Sequence, residues 1–91
     1  MSREAFERAL QLELQQRAAA GAGVAELVAQ ICGTCEARGE VASRFFVARV
    51  MIAAFALPLR LAHDVAAWFE DRAAPCDALD RELVPHLRSP R

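Results

Sequence analysis

Residues 45–69 are the segment that most constrains the fold of this chain. The first half, from Phe45 to Leu57, contains no acidic residue and a single charge, at Arg49. Pro58 then interrupts the segment, because a proline disfavours helical geometry in the residue before it. A helix without a polar face must be covered on every side, either by its own chain or by another chain. The segment therefore predicts two consecutive helices and a strong dependence on packing contacts.

The first of these helices carries two apolar stripes on nearly opposite sides, at about 100° per residue. The first stripe consists of Val41, Phe45, Ala48, Ile52 and Phe55, and we assign it to the core. The second stripe consists of Phe46, Val50, Ala53 and Leu57. The candidate partner-binding site combines this second stripe with two arginines: Phe46, Val50, Ala53, Leu57, Arg49 and Arg60. The alternative is a central helix with both stripes covered by its own chain.

Apolar periodicity, capping residues and helix breakers predict five helices, at about residues 3–20, 24–38, 42–57, 59–72 and 77–87. Ser2 is a candidate N-cap for the first, and Asp77 for the last. No alternating strand pattern or hairpin signal appears. The predicted fold is an all-α, compact five-helix single domain over residues 1–88, followed by a frayed tail at 89–91.

The amino-acid composition argues against several classes of protein, namely disordered, membrane-spanning and nucleic-acid-binding ones. Apolar residues make up 55% of the chain and charged residues 25%, which is typical of a globular protein. No apolar run reaches the ~18 residues of a membrane span, and the charged amino terminus does not resemble a signal peptide. We therefore expect a cytoplasmic protein. The formal net charge of −1 does not favour nucleic acid as a partner. All eleven basic residues are arginine, as is typical of a GC-rich genome, and we expect a bacterial source.

The chain has three cysteines, an odd number, and we expect them to be reduced thiols in the cytoplasm. Cys32 and Cys35 have the spacing of a redox pair, but they fall near the end of a predicted helix and no strands surround them. A zinc site would need two further ligands from Cys76, His63 and His86, and the chain has no second close ligand pair. We interpret Cys32 and Cys35 as packing residues, and we predict neither a metal nor a cofactor.

No catalytic constellation emerges from the sequence. His63 and His86 have no candidate catalytic partner nearby in the sequence, and phosphate-loop, zinc-protease and nucleophile-elbow motifs are absent. We therefore predict a non-enzymatic protein–protein interaction module of the adaptor, immunity or antitoxin type. It would act by binding another protein, and we expect it to form a homo-oligomer such as a homodimer.

Two alternatives come from other classes of protein. Residues 43–72 can be interpreted as a helix-turn-helix of a DNA-binding regulator, with Arg60 and His63 reaching the DNA. Arg44, Arg49 and Arg60 give this region a local positive charge, whereas Asp64, Glu70 and Asp71 would repel phosphate. The second alternative is a thiol-dependent or zinc-dependent protein that uses Cys32 and Cys35.

Overall fold

The computed structural model describes residues 2–88, which fold into five α-helices. These are α1 (Arg3–Ala19), α2 (Val24–Ala37), α3 (Arg44–Phe55), α4 (Leu59–Glu70) and α5 (Asp77–Leu87). Residues 2–88 contain no strand, so the predicted all-α, five-helix domain is confirmed. The predicted tail at 89–91 lies outside the described residues. No helix in the described part of the chain combines the length and the apolar character that a membrane crossing requires.

Helix α1 begins where the sequence predicts. The Ser2 hydroxyl accepts a hydrogen bond from the backbone N–H of Ala5 at 3.1 Å, as an N-cap residue does. The buried side chains of α1 recur every fourth residue: Phe6, Leu10, Leu14 and Ala18. After the helix, Gly21 has a φ of 105°, a left-handed conformation that glycine adopts at little cost. The chain can therefore turn sharply into α2.

Helix α3 is shorter at both ends than the predicted span of 42–57. The Ser43 hydroxyl accepts a hydrogen bond from the backbone N–H of Phe46 at 3.1 Å, so Ser43 is the N-cap. At the other end Ala56 has a left-handed φ of 52°, which ends the helix at Phe55. Leu57 then precedes Pro58, where helical geometry is disfavoured, and α4 begins directly after the proline.

Helix α5 has the predicted bounds, but its N-cap is Cys76 and Asp77 is its first residue. Asp77 therefore does not act as the predicted cap. Pro85 lies inside the last turn without ending the helix. The side chains of Leu83 and Leu87 on this helix are buried in the common core.

The core is built around α3, which packs against α1 on one side and α4 on the other. Six of its twelve side chains are buried: Phe46, Val47, Val50, Met51, Ala54 and Phe55. The ring of Phe46 stacks on that of Phe6 with 6.5 Å between centroids. The Gln15 side-chain amide donates a hydrogen bond at 2.8 Å to the carbonyl of Ala54, which belongs to the last turn of α3. These contacts fix which face of α3 meets α1.

Charged side chains cover the outer edge of the Phe6 and Phe46 rings. The Arg3 guanidinium lies over both rings and donates a hydrogen bond to Glu40 at 2.7 Å. This hydrogen bond holds the pKa of the Glu40 carboxyl below its usual range and raises the pKa of Arg3. The amino terminus of α1 is thus tied to the loop that precedes α3.

Candidate functional site

A groove of about 660 Å³ runs between α3 and α4. Ten side chains line it: Arg44, Phe45, Ala48, Arg49, Ile52 and Ala53 from α3, and His63, Ala66, Ala67 and Glu70 from α4. We call this surface the α3–α4 groove. The two helices are antiparallel, because Arg44 at the start of α3 forms an ion pair with Glu70 at the end of α4.

The wall of the groove on α3 is apolar and exposed. Phe45 is 73% exposed, although a phenylalanine of a small domain is usually buried. Ile52, two turns further along, is only partly covered. Val41 lies just before α3 and is 93% exposed. Together these side chains leave one face of α3 without a covering element in the described chain.

The floor of the groove consists of small residues. Ala48 of α3 and the two alanines of α4, Ala66 and Ala67, replace the larger side chains that would fill the space between two packed helices. A depression of this kind can accept a protruding side chain from another molecule. The exposed Phe45 side chain and these alanines line the same groove.

Both signs of charge occur at the rim of the groove. Arg44 and Glu70 form an ion pair at 3.4 Å, and each side chain is about half exposed. The Arg44 guanidinium also lies 5.0 Å from the centroid of the Phe45 ring. Arg49 forms an ion pair with Glu7 of α1 at 2.9 Å. The ion pair between Arg44 and Glu70 therefore closes one end of the groove.

The structure separates the six predicted partner-binding residues. Phe46 is 7% exposed, Val50 1% and Leu57 4%, so their side chains belong to the core rather than to an accessible surface. Ala53 and Arg49 do line the α3–α4 groove. Arg60 lies outside it, where it forms ion pairs with Asp64 at 3.2 Å and Glu82 at 3.7 Å.

The two apolar stripes of α3 thus have largely the opposite roles to those predicted. Three members of the second stripe, Phe46, Val50 and Leu57, are buried, and the Phe6 ring of α1 stacks on Phe46. Its fourth member, Ala53, is exposed and lines the groove. The first stripe, assigned to the core, is instead exposed or partly exposed along most of its length, and only Phe55 is buried. A usable signal was present in the sequence. On a helical wheel, Phe45 and Ile52 lie between Arg44 and Arg49. Two charged residues that flank a face of a helix favour exposure of that face to solvent.

The exposed face of α4 gives no support to the helix-turn-helix alternative. Arg60, the residue proposed to reach DNA, already forms ion pairs with two carboxylates. Asp64 and Glu70 in α4 and Asp71 directly after it are all exposed, and their carboxylates would repel phosphate.

The cysteines lie in and around the core. Cys35 is buried, and Cys32 packs against the edge of the core, where the Arg72 guanidinium donates to its sulfur at 3.6 Å. Burial, together with the nearby Glu40 carboxylate, raises the pKa of the Cys35 thiol. Among residues 2–88, no three His, Cys, Asp or Glu side chains are grouped so that they could hold a metal ion.

No known protein family, curated protein or solved structure matches this chain.

Proposed function

We propose that this chain is a non-enzymatic protein-interaction module that self-associates through the α3–α4 groove. The observation that carries the proposal is the exposed phenylalanine ring of Phe45 in a groove that is also lined by alanines. An exposed apolar surface with a polar rim is typical of protein contact sites. In the adaptor type of function, the assembly would present its remaining surface to a further protein.

The chemistry of the groove supports binding rather than catalysis. Its lining contains apolar side chains, two arginines, one glutamate and one histidine, and no serine, threonine or cysteine that could act as a nucleophile. Burial of the Phe45 and Ile52 side chains would be a substantial driving force, since a fully buried large apolar side chain contributes about 1.5–3 kcal/mol. A chain of this length also gains from further burial, because a small domain covers a limited fraction of its own surface.

The proposal is tested by light scattering after size exclusion at increasing protein concentration. We expect the wild-type protein to form a dimer, and the F45E and I52E variants to be folded monomers. A charge at either position would have to lose its water in the interface, which costs several kcal/mol without a partner. In the monomer both side chains already contact solvent, so circular dichroism should show wild-type helix content.

L12E is the matched control, because Leu12 is a 55% exposed apolar residue on α1 that does not line the groove. It should leave the dimer intact. V50E, in the core, should unfold the domain. A wild-type protein that is monomeric at millimolar concentration, or an F45E variant that assembles like the wild type, would contradict the proposal.

A further inference from the structure

We infer that two copies of this chain pair face to face about a two-fold axis that runs along the α3–α4 groove. The inference rests on the proposed function, since it specifies the arrangement of that assembly. In it, α3 of one copy lies over α4 of the partner subunit. The two contacting surfaces are identical, as in any two-fold symmetric interface, so the groove must be complementary to itself.

The ends of the groove differ, which limits the symmetric arrangements. Arg44 and Glu70 lie at one end, and Ile52 and His63 lie towards the other. Two grooves that face each other can be related by an axis along the groove, which brings like ends together. The other choice is an axis across the groove, which brings unlike ends together. Charge distinguishes the two arrangements.

An axis along the groove places Arg44 over Glu70 of the partner subunit, and Glu70 over Arg44 of the partner subunit. The four side chains then form a ring at one end of the four-helix interface. Charges alternate in sign around this ring, so each arginine has a carboxylate on both sides. Complementary charges of this kind favour the correct partner and the correct orientation.

An axis across the groove gives a less favourable set of contacts. The two α3 helices would then cross near their midpoints, where Arg49 lies, and the two Arg49 guanidiniums would be neighbours, each with only the Glu7 carboxylate of its own chain as a counter-charge. Arg44 would face the small apolar Ala53 of the partner subunit. Like charges brought together in an interface oppose association. The charge pattern therefore favours the axis along the groove.

The shape of the groove agrees with this axis. Phe45 is next to Arg44, so it meets the partner subunit close to the ring of charges. The residues opposite it are Ala66 and Ala67 of the partner subunit, which belong to the alanine floor. The Phe45 ring of each subunit can therefore enter the depression of the other subunit, and the symmetric pair contains two such contacts. The same contact buries the most exposed large side chain of α3.

Two charge-reversal variants test the arrangement. R44E gives each chain two acids at this end of the groove, and E70R gives each chain two bases. Each variant alone would place four like charges in the ring, so we expect its half-dissociation concentration to rise about tenfold or more. An equal mixture of the two restores opposite charges between chains. Native mass spectrometry should then show mainly the mixed dimer.

The double variant R44E/E70R is the matched control, because it restores the alternating ring and should dimerise like the wild type. Arg44 and Glu70 form an exposed pair, so none of these variants should lose its fold, and circular dichroism checks this. A wild-type dimer that F45E disrupts, combined with R44E and E70R variants that mix at random, would overturn the arrangement and leave the proposed function standing. A monomeric wild-type protein would overturn both.

Discussion

Asp80 of α5 caps helix α2, because its Oδ1 accepts a hydrogen bond from the backbone N–H of Val24 at 2.7 Å. The N-cap residue of α2 is Gly23, which has no side chain to supply such an acceptor. The carboxylate also lies at the positive end of the α2 dipole. A residue from the last helix therefore satisfies a backbone group that local sequence leaves without a cap, and it joins the amino terminus of α2 to α5.

Replacement of Asp80 by alanine should lower the free energy of unfolding by about 1–2 kcal/mol. The reason is that the Val24 N–H loses its acceptor in a partly buried place, and the loss of a helix cap costs this much. Urea denaturation at neutral pH measures the change.

D77A is the control for this prediction. Asp77 is the other acid in the first turn of α5, so its removal reproduces the loss of charge from that helix end. D77A should lower the free energy of unfolding clearly less than D80A does. Equal losses in the two variants would assign the effect to the α5 dipole and contradict the capping role.

Gly23 is held close to the same carboxylate, and this predicts a coupled effect. A Cβ added at Gly23 would lie 2.8 Å from Asp80 Oδ1, so the carboxylate would have to move away from the Val24 N–H that it caps. We expect G23A to cost about 1–2 kcal/mol in the wild-type protein and less than half of that in the D80A background. A double-mutant cycle by urea denaturation measures the coupling. Additive costs would show that the added methyl group is unfavourable for reasons unrelated to Asp80.

The sequence predicts those features of the fold that depend on neighbouring residues. Ser2 caps its helix as expected, and Pro58 separates α3 from α4 as expected. The contact between Asp80 and Val24 joins positions 56 residues apart, and no local pattern indicates it. Such contacts depend on how the helices pack, which a single sequence does not show.

The candidate site was predicted in part for a related reason. Periodicity identified two apolar stripes on α3, but it does not say which stripe other helices will cover. Packing of α1 against Phe46 decided this, and the exposed stripe with Phe45 became the wall of the groove. Ala53 was included as a member of the second stripe and Arg49 as one of two arginines beside it, and both line the groove.

Ala56 at the end of α3 is a position where glycine should stabilise the protein. Its φ of 52° and ψ of 42° are left-handed, and this conformation costs an L-residue roughly 1–2 kcal/mol more than glycine. Part of this gain is lost to the greater freedom of glycine in the unfolded chain. We expect A56G to raise the free energy of unfolding by up to about 1 kcal/mol.

Gly39 provides the converse control for A56G, because it is a glycine with a left-handed φ of 74° and open space around the position of a Cβ. G39A should lower stability for the same backbone reason. Thermal and urea denaturation of both variants give the comparison. A loss of stability in A56G would contradict the left-handed geometry at the end of α3.

The buried thiol of Cys35 should react far more slowly than that of Cys32. Cys35 is 2% exposed, and burial raises the pKa of its thiol, so less of the reactive thiolate is present at a given pH. Cys32, one turn away on the same helix, is partly exposed. With iodoacetamide at pH 8, peptide mapping should show early modification of Cys32, and modification of Cys35 only when urea unfolds the protein. A C35A variant should keep the early reaction unchanged. Modification of Cys35 in the native protein at the rate of Cys32 would show that α2 opens to solvent, and would contradict its place in the core.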